Sequence, residues 1–282
     1  MRIAVIGANG VLGRHVVPRL IERGHSVRAG VRDESKGIIL ALAGAEVMRA
    51  DILDGDSLLP LVSGCEAVLH LATAIPRPGQ PQDWTRNDRV RSEGTGLLLK
   101  AARRAGVRRI VAQSVAMIHA GSGDTWVSED SPLPPVEPRL RTAVELEAQV
   151  RESGTEHCIL RGGLFYGPGT GREDAWREAA RAGTLRLPED GGDYLSLIHV
   201  VDMARAMVDA TVAPRPSTLY LVADNLPAPA RELLTYIARQ QGAGAPPAGG
   251  ARWLRSFRVS NAKLRAELQW EPAYPTYRVG LA

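Results

Sequence analysis

The feature that most constrains this chain is an alternation, through about residue 160, of short apolar runs with stretches of helical periodicity. The apolar runs are Arg2–Ile6, Ser26–Val31, Glu46–Met48, Ala67–Leu71, Arg109–Gln113 and His157–Leu160. Between them lie helical stretches at Val11–Arg23, Glu34–Leu42, Asp56–Val62, Asp88–Ala105 and Leu140–Glu152, with Gly24, Gly106 and Gly154 as stops. Strand–helix alternation demands crossovers between parallel strands and puts helices on both faces of one sheet. RIAVIG and AVLHLA are continuously apolar, as strands buried on both faces must be. The expected fold is α/β, a doubly wound parallel sheet.

After Arg161 the texture changes. Gly162–Gly171 is glycine-rich, and short helices and turns follow. Two segments read as a return to the sheet: Tyr194–His199, leading into a helix capped by Asp202, and Ser217–Ala223. Residues 241–250, QGAGAPPAGG, are a loop by composition, and Ser260–Trp270 is a short amphipathic helix. The expectation is a large unit over residues 1–161, its sheet completed within 196–224, and a smaller one from 162–195 and 225–282.

Composition excludes several classes. Lys+Arg 35 against Asp+Glu 31 leaves +4, spread among acidic residues, which favours a mixed surface over a nucleic-acid groove. Cys65 and Cys158 lie far apart without ligand spacing, so neither a disulfide framework nor a metal site is expected. No apolar run reaches the ~18 residues of a membrane span. The N-terminus lacks a signal-peptide layout, and a soluble cytoplasmic protein is expected. There is no G-x-S-x-G elbow, H-E-x-x-H or Walker A lysine motif.

The strongest local signal is GANGVLG, with Gly7, Gly10 and Gly13 around Asn9, Val11 and Leu12, directly after the first strand and opening a helix. Glycines permit the tight turn and let the main chain approach a pyrophosphate, whose charge is met by free N–H groups at the helix start. At the end of the second strand the chain reads Val31-Arg32-Asp33. Arg32 there favours a 2′-phosphate and hence NADP(H) over NAD(H), whereas a one-residue shift to Asp33 would restore a ribose-binding acid.

Further fragments follow in order: Asp51-Ile52, HLAT at His70–Thr73, EGT and LLLKAA at Glu93–Ala102, LRGGLFYGPG at Leu160–Gly169, SLIHVVDMARA at Ser196–Ala206 and NAKLRAELQWEP at Asn261–Pro272. With the glycine loop they resemble the extended short-chain dehydrogenase/reductases, the NAD-dependent epimerase/dehydratase family, over nearly the whole chain. The resemblance implies a Rossmann-like fold with a smaller C-terminal substrate domain. It implies adenine contacts at Asp51 and Ile52, and a Leu71-Ala72-Thr73 turn along the ribose and nicotinamide. Dimerisation through the Asp88–Ala105 and Leu140–Glu152 helices is the family habit.

The resemblance breaks at the catalytic residues. The family does hydride chemistry with a Tyr-x-x-x-Lys pair and a Ser or Thr. The hydroxyl position matches Ser114, but the tyrosine and lysine positions, counted from Glu129 and from Glu147, fall on Arg139 and Ala143. The family's asparagine is Arg91, and its aromatic residue after the serine is Ile118. Arginine is no general acid near neutrality, but it stabilises an oxyanion or binds an anion. Ser114 and Arg139 are therefore the catalytic candidates.

His119 reads as an exposed loop residue, His199 as packing beneath the site, and His70 as a core histidine. Trp84, Trp126, Tyr166 and Trp176 are the candidate substrate contacts. The expected function is an NADP(H)-dependent oxidoreductase of epimerase/dehydratase type acting on a small carbonyl or alcohol compound. The alternatives are a non-catalytic NADP-binding sensor or regulator, and a non-redox enzyme on the same fold.

Overall fold

A computed structural model describes residues 1–76, 83–213 and 216–282. Seven parallel strands form the central sheet: β1 (Arg2–Ile6), β2 (Ser26–Val31), β3 (Glu46–Arg49), β4 (Ala67–His70), β5 (Arg109–Val115), β6 (Glu156–Gly162) and β7 (Thr218–Val222). Their order is β7-β6-β5-β4-β1-β2-β3, so the chain runs outward from β1 to one edge, then returns to β4 and builds to the other. That reversal lies between β1 and β4, in register Ile3↔Ala67 to Ile6↔His70. In open α/β sheets a crevice for ligands opens at the carboxyl ends of the strands at such a reversal.

The apolar runs behave as expected of doubly covered strands. Ile3, Val5, Ala67 and Leu69 face one buried layer with the Gly13–Glu22 and Val200–Val212 helices. Ala4, Ile6, Val68 and Ile110 face the other, with Leu58, Leu98, Leu146 and Val150 from the helices on that side. A third cluster joins Leu164, Tyr166, Leu197, Leu233, Phe257 and Tyr277 beyond the sheet, in the C-terminal part of the chain.

Three expectations are corrected. Tyr194–His199 does not rejoin the central sheet: Leu197–His199 pairs in parallel with Leu164–Tyr166, and Tyr194–Leu195 pairs antiparallel with Ala228–Pro229. Only Thr218–Val222 completes the sheet, alongside β6. Asp202 does not cap its helix. That helix begins at Val200, and the His199 ring accepts from the Val201 amide. Buried Asp202 instead accepts from the Ala273 and Tyr274 amides at 2.9 and 2.8 Å, pinning the C-terminal segment. The long helix is interrupted as well: α-helical turns at Thr85–Arg89 and Thr95–Arg104 flank a π-turn at Val90–Gly94. π-Turns re-aim side chains and recur at functional sites.

Candidate functional site

The glycine loop follows β1 at the reversal. Gly7 has φ +82°, and a side chain there would put its Cβ 2.7 Å from Ala72 Cα, so the loop presses directly on the Leu71–Thr73 turn. A Cβ on Gly13 would strike the Ala8 carbonyl oxygen. The Gly10 amide closes a tight turn onto the Gly7 carbonyl at 3.0 Å. Among the described residues the amides of Val11, Leu12 and Gly13 meet no acceptor, and Leu12 at the helix start offers no side-chain cap. Free amides at a helix start with no side chain in the way are what a diphosphate requires. Asn9 sits at the turn, its carbonyl accepting from Arg14 Nε at 2.9 Å.

At the far end of the crevice a cavity of about 250 Å³ is lined by Arg32, Arg49, Asp51, Asp54 and Ser57. The two arginines are brought together by the register Val31↔Arg49 between β2 and β3. Neither guanidinium has an acceptor among the described residues. Asp33 turns away: its carboxylate accepts from the Ser35 amide at 3.1 Å and the Ser35 hydroxyl at 2.6 Å, capping the next turn, and these bonds lower its pKa. Arg49 went unrecognised in the sequence, and strand-end adjacency is the signal that finds it. Asp51 is fixed by its amide donating to Ser57 Oγ and by Oδ1 accepting from Leu53, beside buried Ile52.

Under the Leu71–Thr73 turn lies a cluster of buried polar groups. Asn87 Oδ1 accepts from the Ala74 amide at 3.1 Å, and His70 Nε2 lies 2.9 Å from Thr95 Oγ1. Arg91, 4% exposed on the π-turn, makes no hydrogen bond or ion pair among the described residues, and burial brings its pKa down to about 10. Burial, with Arg91's charge adding to it, brings His70 down to about 4. His70 is thus the neutral core histidine expected. Asn87 carried no motif and was missed.

The catalytic candidates are committed elsewhere. Ser114, 3% exposed, donates to Glu147 Oε1 at 2.6 Å. Arg161 donates to both Glu147 oxygens at 2.8 and 2.6 Å, and Arg151 adds a third donor. A hydroxyl donating into a saturated, buried carboxylate has no proton to give a substrate. Arg139 Nε pairs with Glu137 at 2.9 Å and its Nη2 donates to the Trp253 carbonyl, which leaves only Nη1 uncommitted among the described residues. Ala143 is buried in an apolar patch with Val115, Ile118 and Leu140.

His119 is corrected from exposed to fully buried. Arg161 Nη1 lies 3.0 Å from its Nε2. A guanidinium only donates, so Nε2 accepts and the ring proton is on Nδ1. Burial and Arg161's charge bring its pKa down to about 4.

The aromatic candidates separate. Tyr166 is fully buried, edge-on to His199 at 5.2 Å, with burial raising its phenol pKa; it is core, which corrects its reading as a substrate contact. His199 packs there as expected, stacked on Tyr274 at 3.7 Å. Trp84 is half-buried just before the Thr85–Arg89 turn. Trp126 is half-exposed, with Arg258 4.6 Å from its ring. Trp176 is half-buried against Trp253, ring centroids 6.4 Å apart. Among the described residues there is no group of acidic, His and Cys side chains fit to hold a metal, and no helix long and apolar enough to cross a membrane. Cys65 and Cys158 are free and buried.

Residues 7–211 match the family described as NAD(P)H-binding. The chain is 38% identical to a 3-diazoavenalumate denitrifying reductase from a Streptomyces species, over 100% of this chain and 99% of that one. It is 31% identical to a UDP-glucose 4-epimerase from Mycolicibacterium smegmatis, over 96% of this chain and 94% of the relative. Among solved structures, dTDP-glucose 4,6-dehydratase from Streptomyces venezuelae, with NAD bound, superposes with a TM-score of 0.85 at 24% identity, covering 100% and 95% of the two chains. With the sheet order, the glycine cradle and a match across most of its length, the chain belongs to the NAD(P)H-binding family, as an extended short-chain dehydrogenase/reductase of the NAD-dependent epimerase/dehydratase type.

Proposed function

We propose that this chain is an NADPH-dependent reductase whose acceptor is a diazo group on a small organic molecule, removed as N2. The observation that carries the reading is the missing proton relay: Arg139 is tied to Glu137 and Trp253, Ala143 is buried, and the Ser114 proton is given to Glu147. Reducing a carbonyl puts a proton on oxygen, and a positioned acid contributes about 10²–10⁴-fold to such a step. NADPH, when bound, supplies a hydride. An arenediazonium that receives one loses its C–N bond, gains a C–H bond and releases N2, with charge balanced and no proton drawn from the protein. The 38% identical relative, a denitrifying reductase of a diazo compound by name, supports this acceptor class.

The chain's own residues bind and orient. The Val11–Gly13 amides take the diphosphate. Asp51 and Ile52 flank the adenine, and Leu71, Ala72 and Thr73 line the ribose and nicotinamide. Preference for the 2′-phosphate is supported by Arg32 and Arg49, both unpaired among the described residues at one cavity, and by Asp33's engagement with Ser35.

The test is a reaction of the protein with C4-deuterated NADPH and a hydroxyarenediazonium, each rate referred to the same mixture without protein. N2 release matching NADPH oxidation one to one, deuterium at the ring carbon from one face of the nicotinamide, and carbonyl reduction at least 100-fold slower are expected. Equal or faster reduction of small carbonyls overturns the acceptor, and NADPH binding without oxidation by either class leaves a dinucleotide sensor.

A further inference from the structure

We infer that the substrate is a compact planar aromatic carrying an anionic group, held against a ladder made by Arg172, Trp176, Trp253 and Arg139; the inference deepens the reading above and rests on it for the identity of the site. The ladder has no counterpart in the motifs that bind the cofactor. Its ends are guanidiniums and its centre two indoles. Arg172 Cζ lies 5.7 Å from the Trp176 ring centroid, and Trp176 and Trp253 are tilted 42° to each other. Arg139 is joined to Trp253 through the main-chain carbonyl.

Both indoles are half-buried, with one side on the C-terminal core. Arg139, which meets Trp253, lies on the same turn that leads into Ala143, the position where the family keeps its lysine, and Met117 packs on both the C-terminal core and the Ala143 patch. Ser114 and Met117, at and just past the carboxyl end of β5, put this wall at the end of the sheet where ligands enter.

Arg172 carries the charge that no ion pair offsets among the described residues, and Arg139 adds one uncommitted nitrogen. Arg172 donates Nε to the Phe165 carbonyl at 3.1 Å and enters no ion pair among the described residues, although burial works against its charge. A half-buried guanidinium that enters no ion pair is costly, and a bound anion lowers that cost through charge-assisted hydrogen bonds. Arg139 uses Nε for Glu137 and Nη2 for Trp253, which leaves Nη1 without an acceptor among the described residues. Paired indoles with a guanidinium on one ring select a flat π-system over an aliphatic one, since ring stacking adds to area burial. A ring with a carboxylate satisfies both parts of the ladder.

The probes are trans-cinnamate, its neutral amide, cyclohexanecarboxylate and UDP, titrated into NADP-loaded protein by calorimetry and tryptophan fluorescence. Cinnamate should bind at least tenfold tighter than the amide or the saturated acid and quench fluorescence. Arg139→Gln and Arg172→Gln should each shrink the cinnamate-to-amide ratio, and Trp253→Leu should weaken both ligands together. Thermal unfolding checks each variant's fold, and the two glutamine variants suffice if Trp253→Leu is unstable.

Cyclohexanecarboxylate binding as well as cinnamate, a ratio unmoved in both glutamine variants, or UDP binding more tightly than cinnamate each overturns the inference. None of these titrations needs hydride transfer. Intact cinnamate recognition with no denitrification overturns the acceptor and keeps the substrate class; denitrification without cinnamate recognition does the reverse.

Discussion

Glu147 has no exposed surface, and Ser114, Arg161 and Arg151 converge on its two oxygens. Removing one partner of a buried pair leaves the other charge uncompensated. Glu147→Ala is therefore expected to cost ~3–5 kcal/mol, measured by urea unfolding. Ser114→Ala leaves the ion pair intact and should cost about 1 kcal/mol, with NADPH affinity unchanged. Arg32→Ala and Arg49→Ala should each weaken NADPH by about 1.5–3 kcal/mol, the value of a charge-assisted bond, and leave NADH untouched; calorimetry with both nucleotides decides it. A loss shared equally by NADH would place these side chains on the adenine or ribose instead.

The elements that hold the cofactor cleft were legible because their signals are local. GANGVLG follows one strand and opens one helix, so backbone geometry alone recommends it. The Ser114 environment was not legible. Its partner stands 33 positions away on the Arg141–Glu152 helix, and only sheet and helix packing brings Glu147 and Arg161 together. His119 deceived for the same reason: a residue past a strand end reads as loop, but Arg161, on neighbouring β6, turns it inward. Asp202 carried a good capping pattern, yet the 273–274 amides claimed its carboxylate. The π-turn at Val90–Gly94 has no sequence signature, and it carries Arg91 into the interior without a partner among the described residues. Burial of an unpaired cation destabilises the ligand-free protein. Arg91→Met should accordingly raise its stability by ~1 kcal/mol or more, read from urea unfolding, and an unchanged or lowered stability would show that the guanidinium is compensated.

Taken over the whole molecule, the buried titratable groups set the pH at which the fold is most stable. Burial lowers His70 and His119 from the ordinary 6.5 to about 4 in the folded chain. Between those values the unfolded chain binds protons that the folded chain refuses, so stability falls as pH drops from 6.5 toward 4. Burial also lowers His15 and His199, which adds to the acid-side loss. Asp224 acts in the opposite direction. Its carboxyl is buried, with Oδ1 accepting from the Leu226 amide and Oδ2 without a partner among the described residues, and burial pushes its pKa from 3.8 up to about 8. Across that interval the folded chain keeps a proton the unfolded chain has lost, so stability declines with rising pH by up to about 1.4 kcal/mol per unit, flattening above 8. Below 6.5 the two histidines outweigh one carboxyl; above it only Asp224 remains of the three. Maximum stability is expected near pH 6.5. The position matters because the backbone amide of Asn225, its neighbour, donates to the Pro275 carbonyl, so Asn225 and Asp202 together fasten the C-terminal segment. Asp224→Asn retains an oxygen for Leu226 and abolishes the titration. Between pH 6.5 and 8 the variant should lose less stability than wild type, with the two curves converging toward acid pH. Parallel unfolding midpoints over that range would mean that Asp224 is ionised in the folded protein and that some group other than this carboxyl sets the alkaline limb.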